Sequence, residues 1–139
     1  MMTDSVPPPS SFTPLAPVSD TPFDFRTPRP VRRMNADGTR HWYDHNLVLR
    51  RESRQPSVMS GLELAHAATL RSPKNGLGME VWTTEPCLQV YDGFKLNVPA
   101  SGLGGAHYRA NAGIALEPQH APDSPNLPHM PTTVLRPGE

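Results

Sequence analysis

The chain has 139 residues, long enough for one modest core, yet its 18 Pro, 10 Gly, 36% hydrophobic and 6% aromatic content is sparse in the residues that fill one. Thirteen basic residues balance thirteen acidic ones, so no electrostatic footprint of a nucleic-acid partner is present. A single cysteine, Cys87, excludes an intrachain disulfide and a zinc-ribbon ligand set.

In chain order, residues 1–17 are rich in Pro, Ser and Thr and are expected to lack structure of their own; residues 18–139 read as one β domain. The first residues have neither the basic head nor the apolar stretch of a secretory signal, and no run approaches membrane-spanning length. A cytoplasmic protein without a membrane partner is therefore expected. The basic cluster Arg26, Arg29, Arg32 and Arg33 is interrupted by prolines and has no stacking aromatic beyond Phe25.

Asn46–Arg50 reads as a strand. Ser60–Leu70 fits a helix or a strand; alternation favours a strand with Leu62, Leu64, His66, Ala68 and Leu70 on one face. A turn at Pro73-Lys74-Asn75-Gly76 leads into a strand over Gly78–Thr84. In the next, Leu88–Tyr91, period two puts Gln89 and Tyr91 on one face and Leu88 and Val90 on the other. The run Gly113-Ile114-Ala115-Leu116 ends in Glu117, with Ile114 and Leu116 opposed to Ala115 and Glu117. The loop Pro122–Asn126 is expected to be rigid, with Asp123 and Asn126 bonding their own backbone, and Thr132–Leu135 reads as a last strand. Short strands separated by Gly, Pro, Asn and Asp are the pattern of an all-β, antiparallel sandwich.

Several side chains are candidates for chemistry. Glu117, at a strand end before a rigid loop, is placed to act as a base, or else only pairs with a neighbouring Arg. Asp44 offers several acceptor sites to ligand hydroxyls, or is a turn residue before a strand. Gln89 beside Tyr91 suits a sugar, with an amide for hydroxyls and a ring for the C–H face, but equally suits a solvent-facing strand. His41-x-x-Asp44-His45 has the ligand types of a metal site, and Asp44 with Glu117 would supply the two carboxylates of a glycosidase.

Four ordered blocks decide among these readings. They are Thr21-Pro22-Phe23-Asp24-Phe25-Arg26; Tyr43-Asp44-His45-Asn46 followed by Leu47-Val48-Leu49; Thr83-Thr84-Glu85-Pro86-Cys87-Leu88-Gln89-Val90-Tyr91; and Gly113–Gln119 with Pro122-Asp123-Ser124-Pro125-Asn126 and Leu135-Arg136-Pro137-Gly138-Glu139. Together they resemble the C-terminal portion of the aldose 1-epimerases, or galactose mutarotases. The resemblance implies a large β-sandwich, here represented by about its C-terminal two-fifths. It implies acid/base interconversion of the anomers of an aldohexose such as galactose or glucose, needing neither metal nor organic cofactor. Carried over position by position, Glu117 is the general base, and Asp44 and Gln89, with Tyr91 beside them, bind the sugar.

The chain departs from the family pattern at three places. Cys87 stands where the family usually has Gly, which would strain a positive φ; Trp42 stands where Gly is frequent; and Asp92-Gly93-Phe94 follows the Gln strand. The family's general-acid histidine, a second active-site histidine and a sugar-binding arginine have no counterpart, and none of the six histidines matches them. A competing expectation is thus a non-catalytic remnant or sugar-binding half. An exposed sandwich face would then favour self-association or a partner chain supplying the other half.

Overall fold

Short strands with one apolar face can bury it only by pairing edge to edge and stacking a second layer on that face. The structure, a computed structural model, describes residues 5–6, 15–57 and 61–138 and has this two-layer form. One sheet runs in the order β2-β1-β3-β7-β8, from Ala16–Pro17 (β2), Ser5–Val6 (β1), Asp44–Val48 (β3), Cys87–Tyr91 (β7) and Ala115–Gln119 (β8). The other comprises β4 (Arg54–Pro56), β5 (Glu63–Arg71) and β6 (Gly78–Thr83). Every pairing is antiparallel. The all-β sandwich expected from the sequence is the observed fold. Most of residues 1–17, and Ser60, lie outside the described residues.

Leu47, Leu88 and Val90 of the first sheet pack on Ala67 and Ala68 of β5, with Val18, Tyr43 and Leu49 closing the cluster. Phe23 and Phe25 extend it, and Thr21 Oγ1 donates to the Val18 carbonyl at 2.6 Å to shape the turn that delivers them. The buried Tyr43 hydroxyl is not orphaned, because it donates to the Pro22 carbonyl at 3.1 Å. Asp24 pairs with Arg26 at 2.7 Å, and that guanidinium holds the Asp24 carboxyl well below the usual carboxylate range.

Two expectations need correction. Continuous alternation from Leu62 to Leu70 does not survive, because a β-bulge between His66 and Ala68 shifts the phase. Ala65 faces Thr83 before the bulge; Ala68 and Leu70 face Val81 and Met79 after it. Leu64 and His66 are left on the other face, where His66 meets Trp82 edge-on at 4.9 Å. The alanines, not the leucines, are the buried residues of β5. The second correction concerns Thr132–Leu135, which is irregular. Val134 is 62% and Leu135 79% exposed, and the Val134 amide bonds the Thr132 hydroxyl at 3.1 Å. Strand composition without a ladder partner gives a local turn instead.

Other turns follow their residues. Lys74 and Asn75 turn as expected, with Gly76 at φ 73°. Asp123 takes φ 64° and Asn126 donates both its backbone amide and its side chain back to Asp123. Gly93, just past β7, has φ +70°, and a Cβ there would lie 2.7 Å from Leu96 Cδ1 and 2.8 Å from the Gly113 carbonyl oxygen. Gly93→Ala should therefore destabilise the fold by about 1–3 kcal/mol. Thermal unfolding checks this; an unchanged midpoint would contradict the close approach of this turn to the chain entering β8.

Candidate functional site

Three neighbouring strands, β3, β7 and β8, bring the chemistry together. Their register places Asp44, Tyr91 and Ala115 in one row and Asn46, Gln89 and Glu117 in the next. Directly opposed residues share a face, so Asp44, Gln89, Tyr91 and Glu117 all project from the side opposite the Leu47–Leu88–Val90 core. The backbone bonds from Asp92 N to Tyr43 O (3.0 Å) and from Leu49 N to Pro86 O (2.9 Å) set the alternation along β3 and β7. By that alternation Asp44/Tyr91 and Asn46/Gln89 are non-hydrogen-bonded pairs, whose side chains stand closest.

Gln89 Nε2 donates to Asp44 Oδ1 at 2.8 Å. This bond fixes an amide and a carboxylate side by side, the arrangement that offers donors and acceptors to adjacent hydroxyls. Asp44 is exposed and Gln89 half-buried, so the pair stays reachable. Glu117 is exposed at mid-strand in β8 rather than at its end, and among the described residues no side chain pairs with its carboxylate. The alternative of a glutamate that merely neutralises an Arg finds no partner here. Among the described residues β8 is an edge strand, so Glu117 has Gln89 on one side and no described strand on the other.

An aromatic cluster that the sequence reading did not assemble runs from Tyr91 through Phe94 and Trp42 to His45. Trp42, 46% exposed, stacks on Phe94 at 4.8 Å and 23° and on His45 at 5.3 Å and 28°. Tyr91 meets Phe94 at 5.8 Å, and its hydroxyl accepts from the Lys95 amide at 3.3 Å. Trp42 precedes β3 by two residues and Phe94 follows β7 by three, so only the pairing of these strands makes them neighbours.

The histidines do not gather here. His45 Nδ1 accepts the Asp44 amide at 3.0 Å and its ring lies 4.4 Å from Phe23; burial, then His41, lowers its pKa. His41 bonds Asn35 at 3.1 Å. His120 pairs with Glu85 at 2.9 Å. Among the described residues no three His, Cys, Asp or Glu side chains are placed to hold a metal ion, so His41, Asp44 and His45 do not form the cluster their spacing suggests. A cavity of about 770 Å³ lies on the core side among Phe25, Val31, Leu70, Val90, Ile114 and Leu116 and includes none of Asp44, Gln89 or Glu117. Its lining is mainly apolar, with Arg26, Arg29 and Arg71 also at its wall, and it lies apart from the polar row of β3, β7 and β8.

Cys87 sits in β7 with an ordinary extended backbone, so it carries no glycine-type strain. Full burial, reinforced by the Glu85 charge, pushes its thiol up to about 11. Native protein at pH 8 should therefore resist thiol reagents that label it completely once unfolded. Rapid labelling of the folded chain would contradict this burial.

The sequence profile of the aldose 1-epimerase family matches residues 9–139. Mouse galactose mutarotase is 38% identical over 125 residues, covering 90% of this chain and 34% of that protein. The aldose 1-epimerase of Escherichia coli is 35% identical over 132 residues, again covering 90% of this chain and 35% of the relative. The solved structure of a GalM/aldose epimerase homologue from C. elegans superposes with a TM-score of 0.78 at 28% identity, over 100% of this chain and 41% of that one. The chain spans about a third of the length of the curated relatives it matches.

Proposed function

The chain belongs to the aldose 1-epimerase family, and from that premise we propose that its β3–β7–β8 face binds an aldohexose and that Glu117 is the general base of anomer interconversion. The observation that carries this reading is the single polar row in which Gln89, bonded to Asp44 at 2.8 Å, stands directly between Asn46 and Glu117.

The chemistry follows from proton bookkeeping on the sugar. Glu117 takes the proton of the C1 hydroxyl as the C1–ring-oxygen bond breaks, and an acid protonates the ring oxygen. Rotation about C1–C2 turns the other face of the aldehyde to the returning hydroxyl. Closure reverses both transfers, so no atom is gained or lost. Each proton-transfer partner is worth about 10²–10⁴-fold in rate. Asp44 accepts hydrogen bonds from ring hydroxyls, Gln89 supplies donor and acceptor beside it, and Tyr91 with its aromatic neighbours covers the C–H face. A carboxylate at Asp44 suits this because its two oxygens can serve two hydroxyls at once. The reading covers residues 18–139 as one β unit and places the activity in the cytoplasm.

A second reading is favoured by one observation: no histidine projects beside Glu117 from these three strands, since His45 points to the other face. The chain then acts as the base-bearing, sugar-binding half, with a partner chain or a second copy contributing the acid. No helix of the described residues is long and apolar enough to cross a membrane.

Polarimetry of freshly dissolved α-D-galactose and α-D-glucose, with hexose titration by NMR, tests both. Acceleration over buffer supports catalysis by this chain. Shifts around Asp44 and Gln89 without acceleration support the binding half. A folded chain that gives neither overturns both readings.

A further inference from the structure

The cavity of about 770 Å³ on the core side has a size and a lining that the sugar reading leaves unused. Small-molecule pockets run to about 300–1,000 Å³, with a mostly apolar wall and a few polar groups that orient the ligand. Here the apolar wall comes from both layers. Leu70 is supplied by β5, Val90 and Leu116 by β7 and β8, and Phe25 and Val31 by the segment before β3.

The charged groups are all of one sign. Arg26, Arg29 and Arg71 stand at the wall, and no Asp or Glu lines it. The three are not equivalent. Arg26 is committed to Asp24, which it bonds through Nε at 2.9 Å and Nη2 at 2.7 Å. Arg29 lies over the Phe25 ring at 4.5 Å and donates through Nη2 to the Pro22 carbonyl. Its Nε, however, is buried and has no acceptor among the described residues. Arg71 is exposed at the end of β5 and pairs with no described acidic side chain. A buried N–H without an acceptor costs the fold free energy, and a ligand oxygen removes that cost. A carboxylate fits best, because the planar guanidinium fork meets both of its oxygens at once.

We propose that this cleft binds a monomeric long-chain carboxylate, with the apolar tail between β5 and the β7–β8 pair and the carboxylate on Arg29 and Arg71. The tail takes Leu70, Val90, Ile114 and Leu116 out of water, and the headgroup supplies the acceptor that Arg29 Nε lacks. A purely apolar ligand would leave the two guanidiniums without an anion. A small anion would leave the apolar wall wet. The cleft includes none of Asp44, Gln89 or Glu117, so the inference stands independently of the sugar reading.

Ile114 is the only isoleucine in the sequence, so its methyl signals report on the cleft without overlap. The full chain is titrated with octanoate, decanoate and dodecanoate below their micelle concentrations, and with 1-dodecanol as the uncharged control. NMR follows Ile114 and calorimetry gives the affinity. The Ile114 signals should move, and affinity should rise about ten-fold for every two methylenes added. Arg71→Gln should weaken dodecanoate about ten-fold and leave dodecanol unaltered. Arg29→Gln should do the same; since Arg29 also holds the Pro22 carbonyl, the exposed Arg71 carries the test if that variant unfolds. Dodecanoate that leaves Ile114 unmoved in the folded chain would overturn the proposal. So would a dodecanoate affinity indifferent to Arg71→Gln, which would make the cleft an apolar surface without a headgroup site. A concentration-dependent rise in mass that excludes dodecanoate would assign the cleft to a second copy of the chain. Binding to phosphatidylserine vesicles without binding of the monomeric acid would assign it to a membrane surface. Either of these results also overturns the proposal.

Discussion

Glu117→Gln is expected to lower the catalysed rate of anomer interconversion by about 10²–10⁴-fold with little change in melting temperature. The substitution keeps the shape and the hydrogen-bonding reach of the side chain and removes only its capacity to hold a proton at neutral pH. The fold should not notice. Glu117 is exposed on the edge strand β8, and no described side chain pairs with its carboxylate, so no buried charge or ion pair is lost. Polarimetry of α-D-galactose at matched concentrations of parent and variant gives the rate, and circular dichroism gives the melting curve. A variant as active as its parent would sink the assignment of Glu117 as base. A parent without activity, but with galactose shifts in its NMR spectrum, would point to the half-site reading, in which the acid comes from another chain.

Leu88→Ala is the substitution expected to damage the fold most. Leu88 is fully buried in the centre of β7, with Leu47 opposite on β3 and Pro118 opposite on β8. Its side chain belongs to the cluster that joins the two sheets through Ala67 and Ala68. Removing it opens a cavity beneath small neighbours that cannot fill it, at a cost of about 2–5 kcal/mol. A chain of this size has about 5–15 kcal/mol to lose, so the melting midpoint should fall by roughly 10 °C or more. The adjacent Gln89→Ala is the control: it changes the opposite face, where the side chain is half-buried, and should move the midpoint far less. Equal effects from the two positions would contradict the assignment of faces on β7, and with it the location of the proposed sugar face.

The same two residues show how far the sequence could be read. Leu88 and Gln89, or Leu116 and Glu117, point opposite ways because a strand turns each successive side chain by half a revolution. That is a local property of the backbone, and alternation in the sequence reveals it. The antiparallel β class, the strands around Asn46, Met79, Gln89 and Leu116, and the turns at Asn75 and Asp123 were legible for the same reason. Family membership was legible because four ordered blocks, each weak alone, occur in one chain. Departure of Cys87 from glycine, by contrast, proved harmless, because its φ is that of an ordinary strand residue.

Other features depended on which strand lies beside which. The alternation of Leu62, Leu64, His66, Ala68 and Leu70 looks unbroken, yet the bulge at His66–Ala68 reverses it; three alanines give too little contrast with their neighbours to mark the change. Thr132–Leu135 has strand-forming residues and no strand to join. The cluster of Trp42, Phe94 and Tyr91 combines residues up to 52 positions apart. The row Asn46–Gln89–Glu117 exists only once β3, β7 and β8 have chosen their register. Residue order by itself determined the family, the class of fold and the face on which each candidate side chain stands, since these follow from local backbone geometry and ordered motifs. The tertiary structure alone decided which of those side chains meet, because strand register is set by long-range packing, where a slip of one residue would turn every one of them to the other side.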